Sequence, residues 1–185
     1  THLGSLCSEA RVSYMRTAFT LFEQVYAMPQ PLIGAINGPA VAGGFDLAVF
    51  CDLRICVPTA KFAQPEIILG ATQFIYPLCT IVGLGRAKEL AFTGNPISAE
   101  EAYRIGLVND LVPSASLMAT AWAKARTIAS HPREALLESK RLSRDVPGLD
   151  RAAAFARMGE ALDRSLHSDE HRHALEIYLE RLRKS

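Results

Sequence analysis

The sequence predicts an α/β fold in which alternating strands and helices come first and a run of helices comes last. Two observations predict it. Short apolar runs bounded by Pro, Gly and Asn lie in the first part of the chain and are typical of buried strands. From residue 98 onward, longer segments carry helical patterns. The 185 residues allow one domain of ordinary size, or one and a fraction.

The composition excludes several classes of protein. With 49% hydrophobic and 21% charged residues, the chain can bury a core, so wholesale disorder is excluded. A net charge of +1 lacks the basic excess of a dedicated nucleic-acid surface. No stretch approaches the length of an apolar membrane span, and no signal segment is visible. We therefore expect no nucleic-acid partner, no membrane partner and a cytoplasmic location.

An amphipathic helix is predicted over residues 9–28. Its large apolar side chains recur at helical spacing, at Met15, Phe19, Phe22 and Tyr26. Pro29 and Pro31 end this helix, because proline lacks the amide hydrogen that a helix interior needs.

The next predicted elements are short and alternate between strand and helix. Residues 32–36 form a buried strand that a turn at 37–39 closes. A short helix is predicted over 45–50, a second buried strand over 53–57 and an extended piece over 61–63. These elements give the first part of the chain its α/β character.

The remaining predicted elements are helical. Ser98 and Glu101 have the spacing of a capping box, and Gly106 is a suitable stop for the helix that they begin. Further helices are predicted over 114–130, from Pro132 onward, over 148–166 and over 168–183.

The most informative stretch for chemistry is the passage from the strand at 32–36 into the helix that follows it. Gly43 and Gly44 let the backbone turn tightly and let a ligand approach it closely. The first amides of a helix lack intrahelical partners, so they could stabilise an oxygen that gains negative charge. A tight turn without any ligand would explain the same glycines. The stretch lacks the dinucleotide-binding glycine signature and the phosphate-binding lysine.

Two carboxylates follow this turn, and each has a structural and a catalytic interpretation. Asp46 lies in the first helical turn, where it would complement the helix dipole. Glu66 lies among apolar residues after Pro65, where burial would raise its pKa and suit proton transfer near neutral pH. An exposed helix N-terminus at Glu66 would explain the same pattern, and periodicity alone does not choose.

A metal site is not predicted. His167 and His171 are four residues apart, a spacing that places two ligands on one helical face. The helix that contains His171 is predicted to start at Ser168, however, which leaves His167 outside it.

Ordered motifs recur along most of the chain, over roughly residues 9–183. They occupy the segments 31–40, 43–48, 51–54, 60–70, 86–90, 93–94, 97–102 and 106–108. In this order and spacing they resemble the motifs of the crotonase family, the enoyl-CoA hydratase/isomerase superfamily.

The resemblance implies a crotonase-like fold and an acyl-CoA substrate. It implies a partial ββα spiral core over residues 1–110 with the acyl-CoA site, and a helical oligomerisation region over 111–185 whose helices form trimers. The expected assembly is a homotrimer or a hexamer. No separate cofactor is expected, because coenzyme A is part of the thioester substrate.

The resemblance also implies roles for individual residues. The amide of Gly43 corresponds to the second of two donors that hold the thioester oxygen as it becomes an enolate. Asp46 and Glu66 correspond to the two carboxylates of the hydratases. The residues expected to line the substrate are Ala42, Gly44, Pro65, Phe74 and Tyr76.

Four departures from the family pattern accompany the likeness. The likeness begins after the segment that carries the first oxyanion donor, so we expect that donor and much of the adenine-binding surface to lie outside these residues. Asp46 stands where the hydratases usually have glutamate, and Ala42 stands where many members have glycine. Residues 71–78 lack the family's usual proline and glycine pair, so Phe74 and Tyr76 are expected to reshape the acyl pocket.

These observations predict an enoyl-CoA hydratase that adds water to a 2-enoyl-CoA through a stabilised thioester enolate. The nearest alternative is a double-bond isomerase that uses Glu66 as its single base. A family hydrolase or decarboxylase and a non-catalytic acyl-CoA-binding subunit remain further alternatives.

Overall fold

The structure, a computed structural model, describes residues 7–184, except for the side chains of Ser8 and Arg11. It divides into two units. One comprises the residues up to Met28 together with Leu32–Ala121, and the other comprises Pro29–Pro31 and the residues from Trp122 onward. Within the described residues, no helix is long and apolar enough to cross a membrane.

The first unit contains a parallel sheet of three short strands. Its strands are β1 (Ile33–Ile36), β3 (Leu53–Cys56) and β6 (Asp110–Leu111), with β3 in the centre. Ile33 lies opposite Leu53 in this register, and Ile55 lies opposite Asp110. The apolar runs that predicted strands therefore form β1 and β3, two adjacent strands of this sheet.

A second sheet in the same unit carries the segments that lead into the candidate site. Its strands are β2 (Ala40–Val41), β4 (Lys61–Ala63) and β5 (Ile97–Ser98). β4 pairs in parallel with β2 and antiparallel with β5. The carboxyl ends of β2 and β4 consequently lie side by side.

The helices of the first unit partly match the prediction. Helix α1 (Ser8–Ala27) has the predicted extent, and α2 (Gly43–Phe50) starts two residues earlier than predicted, at the glycine pair itself. In α5 (Ala99–Arg104), the Ser98 hydroxyl accepts a hydrogen bond from the Glu101 amide over 3.2 Å, as the capping box predicted. No element was predicted between residues 71 and 97, where the structure has α3 (Leu78–Val82) and α4 (Leu84–Thr93).

The core of the first unit lies between the sheets and these helices. Its largest fully buried side chains include Phe45, Ile55, Phe62, Leu78 and Leu107. The rings of Phe45 and Phe62 meet edge to face, with centroids 6.5 Å apart. Burying such side chains contributes about 1.5–3 kcal/mol each, so Phe45 anchors the start of α2 and Phe62 anchors β4.

A buried arginine fixes the far end of α2. The guanidinium of Arg54, only 4% exposed, donates to the carbonyl oxygens of Leu107 (2.5 Å) and Cys51 (2.5 Å) and more weakly to that of Ala48 (3.5 Å). Burial lowers the pKa of Arg54 from its ordinary value. A cation at this position satisfies carbonyls at the C-terminal end of the helix.

The second unit is helical. It contains α6 (Leu117–Ala129) from Trp122 onward, α7 (Arg133–Asp145), α8 (Arg151–Leu166) and α9 (Asp169–Lys184). Residues 114–116 and 146–148, which were predicted to belong wholly or partly to helices, form short 3₁₀ turns before α6 and α8. Asp150 caps α8 by accepting a hydrogen bond from the Ala153 amide over 2.9 Å.

Candidate active site

A strained turn joins β2 to α2. Ala42 is the single residue between them and has φ 55° and ψ −129°, a conformation that an L side chain rarely adopts. Its amide donates to the Ala63 carbonyl over 3.0 Å, which ties the turn to the end of β4. Strain of this kind concentrates at functional sites, and here it lies at Ala42, where the resemblance stated above implies glycine in many members.

The two glycines after this turn present their amides at the start of α2. The amides of Phe45 and Asp46 donate to the Ala42 carbonyl over 2.8 and 3.0 Å. Within the part of the chain that the structure describes, the backbone N–H groups of Gly43 and Gly44 donate no hydrogen bond. Such amides, at the positive end of a helix dipole, form a site for an oxygen that gains negative charge.

Asp46 is a buried carboxylic acid in the first turn of α2. It is 6% exposed, and its Oδ1 accepts a hydrogen bond from Nε2 of Gln64 over 3.0 Å. Burial raises the pKa of Asp46 to about 6, the Gln64 hydrogen bond opposes this rise, and the charge of Glu66 adds to it. A carboxyl group with this pKa can exchange a proton near neutral pH.

Gln64 organises the site, although no role was predicted for it from the sequence. Its side chain is 2% exposed, and Nε2 donates both to Asp46 and to the Phe74 carbonyl over 3.3 Å. Gln73 donates in turn to the Gln64 carbonyl over 3.0 Å. The Oε1 of Gln64 is buried and has no partner among the described residues. The signal available in the sequence was a polar amide side chain between the extended piece predicted at 61–63 and Pro65.

Glu66 lies in a short 3₁₀ helix (Pro65–Leu69), which Gln64 separates from β4. Its carboxylate is half-buried, and Oε2 has no hydrogen-bond partner among the described residues. Because its charge acts on the pKa of Asp46, the two carboxylates lie within electrostatic reach of each other. A buried acceptor without a partner costs about 1–3 kcal/mol, which is consistent with a group held ready for a ligand or a water molecule.

Aromatic rings from α1 and from residues 71–77 lie beside the turn. The Cζ atom of Phe22 lies 3.6 Å from the position that a Cβ atom on Gly43 would occupy. The Phe22 and Phe74 rings meet edge to face at 5.8 Å. Tyr76 is 48% exposed, and its hydroxyl lies 2.6 Å from that of Tyr26.

The structure thus brings most of the predicted site residues to one region of the first unit. Ala42, Gly43 and Gly44 form the turn, Asp46 lies next to it, and Gln64 connects Asp46 to the backbone of Phe74. Pro65 begins the 3₁₀ helix that carries Glu66. Tyr76 contacts Tyr26, whose ring meets that of Phe50 on α2. The substrate roles of these residues remain predictions.

The histidines form no metal centre within residues 7–184, where no group of three or more metal-binding side chains occurs. His167 caps the end of α8, with Nδ1 2.8 Å from the Asp163 carbonyl oxygen. His171 lies in the first turns of α9.

Curated relatives resemble most of this chain. It is 36% identical over 164 residues to a short-chain-enoyl-CoA hydratase of Clostridium acetobutylicum, which covers 87% of this chain and 63% of that protein. It is 35% identical over 164 residues to a crotonyl-CoA hydratase of Syntrophomonas wolfei, with the same two coverages. The chain therefore spans less than two thirds of the length of both relatives.

Solved structures share its fold. An enoyl-CoA hydratase from Bacillus anthracis superposes with a TM-score of 0.92 at 31% identity, covering 96% of this chain and 70% of that one. Human enoyl-CoA hydratase domain-containing protein 3 gives a TM-score of 0.87 at 28% identity, covering 97% and 73%. These likenesses confirm the crotonase-like α/β fold that the sequence predicted. A family model described as enoyl-CoA hydratase/isomerase matches residues 3–185. The chain accordingly belongs to the enoyl-CoA hydratase/isomerase family.

Proposed function

We propose that this chain adds water to the double bond of a 2-enoyl-CoA. The observation that carries the proposal is the pairing of a buried Asp46, whose pKa is about 6, with a nearby Glu66 that has an unpartnered oxygen. Both lie beside a turn whose glycine amides are unengaged among the described residues. The names of the relatives from Clostridium and Syntrophomonas support the same reaction class.

The glycine turn supplies charge stabilisation in this mechanism. The thioester oxygen accepts a hydrogen bond from the Gly43 amide and gains negative charge as the enolate forms. The dipole of α2 acts in the same direction, because its positive end lies at this amide. Losing one donor of this kind typically lowers the rate about 10²–10³-fold, so the turn geometry at Ala42 matters for the reaction.

The carboxyl groups of Asp46 and Glu66 bind the water molecule and transfer protons. They hold a water molecule between them, remove its proton as its oxygen bonds to C3, and deliver a proton to C2 of the enolate. Asp46 can change protonation state near neutral pH because its pKa is about 6. Gln64 keeps the shorter aspartate side chain in a fixed orientation through its 3.0 Å hydrogen bond.

The substrate itself carries coenzyme A, so the mechanism requires no separate cofactor. We assign Ala42, Gly44, Pro65, Phe74 and Tyr76 to the lining of the acyl site. We also assign the helical part of the chain to assembly into a homotrimer or hexamer. Exposed apolar side chains on α8, such as Phe155 (68% exposed) and Leu162 (60% exposed), support a protein interface there.

One observation favours a second reaction of the same family, the migration of a double bond. The Oδ1 of Asp46 already accepts a hydrogen bond, whereas the Oε2 of Glu66 is unpartnered among the described residues. A single base at Glu66 suffices to move a proton between two carbons of a 3-enoyl-CoA. Asp46 would then hold Gln64 in place rather than bind water.

Two amide substitutions separate these reactions. Under hydration, Asp46→Asn and Glu66→Gln each reduce turnover of a 2-enoyl-CoA at least 100-fold, because each removes a proton-transfer group. Under isomerisation, Glu66→Gln abolishes turnover of a 3-enoyl-CoA and Asp46→Asn retains most of it. Glu89→Gln is the matched control, because Glu89 is exposed on α4. No turnover of either substrate by the native chain would contradict both reactions and favour a non-catalytic acyl-CoA-binding subunit.

A further inference from the structure

Six aromatic side chains from three segments of the first unit pack into one cluster, which we call the aromatic block. It consists of Phe19, Phe22 and Tyr26 on α1, Phe50 on α2, and Phe74 and Tyr76 on the segment after the 3₁₀ helix. Phe74 lies in the middle, with ring centroids 5.0 Å from Phe19, 5.8 Å from Phe22 and 6.0 Å from Phe50.

The aromatic block touches the candidate reaction centre at two points. Phe22 lies next to Gly43, with its Cζ atom 3.6 Å from the site of a Cβ atom there. The Phe74 carbonyl shares the Gln64 amide with the Asp46 carboxylate. The block therefore flanks both the proposed oxyanion donor and the proposed proton-transfer group, which lie three residues apart.

The packing of the rings leaves little room for an alkyl chain. Aromatic pairs with centroids between 4.5 and 7 Å are in van der Waals contact, and the contacts around Phe74 all fall in this range. A methylene chain that passed between these rings would have to separate them and forfeit their edge-to-face contacts.

A hydrogen bond restrains the outer end of the block. The hydroxyl groups of Tyr26 and Tyr76 lie 2.6 Å apart, so they join α1 to the segment that carries Phe74. The Tyr26 ring also meets the Phe50 ring edge to face at 5.9 Å. Separating the rings around Phe74 thus requires moving residues 73–76. Gln73 holds one end of this segment through its hydrogen bond to the Gln64 carbonyl, and the contact between Tyr26 and Tyr76 holds the other.

We propose that the aromatic block limits the substrates of this chain to short acyl groups. This inference rests on the proposed function, because it takes the acyl-CoA site to lie at Gly43 and Asp46. Phe22 and Phe74 are then specificity-determining residues, and Tyr26 is a positioning residue that acts through Tyr76.

The test measures binding rather than turnover, so that it does not depend on catalysis. Saturated acyl-CoAs with four, eight and twelve carbons are titrated into the full chain by calorimetry. A buried methylene ordinarily strengthens binding by about fourfold, yet we expect the native affinity not to rise with acyl length. We expect Phe74→Ala to increase the ratio of twelve-carbon to four-carbon affinity at least tenfold.

Further variants keep the test valid if Phe74→Ala folds poorly. Phe74→Leu keeps an apolar side chain and is expected to increase the same ratio by a smaller factor. Tyr26→Phe keeps the ring and removes the hydroxyl, so it should also raise the ratio. Tyr103→Ala, on the exposed surface of α5, is the control and should leave the ratio unchanged.

The outcomes distinguish this inference from the proposed function. Tighter binding of the twelve-carbon ligand by the native chain, or an unchanged ratio in folded Phe74 variants, would overturn the chain-length limit alone. The acyl group would then follow another route, such as the cavity of about 280 Å³ lined by Ile67, Ile75 and Phe92 among others. Failure of every acyl-CoA to bind would overturn the proposed function together with this inference.

Discussion

Replacing Asp46 with asparagine should stabilise the fold at neutral pH. The native carboxyl group has a pKa of about 6, raised from its ordinary value of 3.8 chiefly by burial. Its ionised form is therefore held in a less favourable environment in the folded chain than in the unfolded chain. Asparagine keeps the size of the side chain and the oxygen that accepts from Gln64, but it carries no charge to bury.

The sign and size of this effect follow from proton linkage. Between pH 3.8 and about 6, the folded chain binds a proton that the unfolded chain has lost. The contribution of Asp46 to the free energy of unfolding therefore falls as pH rises through this window and stays low above it. A tenfold change in proton affinity corresponds to about 1.4 kcal/mol, so Asp46→Asn gains up to about 3 kcal/mol above pH 6, less what solvent screening removes.

Urea unfolding of the native chain and of Asp46→Asn at pH 4, 5, 6 and 7.5 measures this gain directly. We expect the difference between the two midpoints to grow with pH and to level off above pH 6. Glu89→Gln is again the control, and its difference should stay small at every pH, because an exposed ion pair contributes about 0–1 kcal/mol. A variant that is equally stable or less stable at pH 7.5 would refute the burial of charge at this position.

Three other substitutions test the turn before α2, the Gln64 hydrogen bond and the C-terminal end of α2. Ala42→Gly should raise the free energy of unfolding in urea by about 1 kcal/mol. Glycine relieves backbone strain that costs about 1–3 kcal/mol at φ 55°. A loss of stability would show that the turn is unstrained. Gln64→Met removes the hydrogen bond that lowers the pKa of Asp46. The limb of the pH–rate profile that reports the ionisation of Asp46 should therefore move to higher pH. A limb at the same pH in the variant would show that Gln64 does not influence the pKa of Asp46. Arg54→Met leaves buried carbonyl oxygens unpartnered and should lower the free energy of unfolding by about 3 kcal/mol or more. Arg104→Met, at an exposed ion pair, should lower it by less than about 1 kcal/mol. Equal losses in the two variants would contradict the stabilising role of the Arg54 hydrogen bonds.

Local patterns in the sequence were sufficient to predict the elements that depend on local physics. The apolar residues of α1 recur at helical spacing, and that spacing gave the extent of the helix. Met15 and Phe19 on this face are nevertheless 40% and 51% exposed. The hydroxyl of Ser98 caps α5 because the cap needs only residues three apart. The start of α2 was placed two residues late, since Gly43 and Gly44 lower helix propensity. The geometry of the turn overrides that propensity.

The site could be predicted only in part, because its contacts join residues that are distant in sequence. The glycine turn and both carboxylates were predicted from their motifs, and their roles stay predictions. The role of Gln64 was missed, since its partners Asp46 and Phe74 lie 18 and 10 residues away. The pairing of Tyr26 with Tyr76 spans 50 residues. Such contacts follow from how the strands and helices pack, which periodicity does not encode.

Isotope incorporation tests the central claim most directly. The full chain is incubated with a four-carbon 2-enoyl-CoA in D₂O that contains H₂¹⁸O, and the products are analysed by mass spectrometry. Hydration predicts one ¹⁸O at C3 and one deuterium at C2 of an intact 3-hydroxyacyl-CoA. Deuterium without ¹⁸O would indicate isomerisation, and ¹⁸O confined to a released carboxylate would indicate thioester hydrolysis. Either of these results, or the absence of any label, would contradict the account.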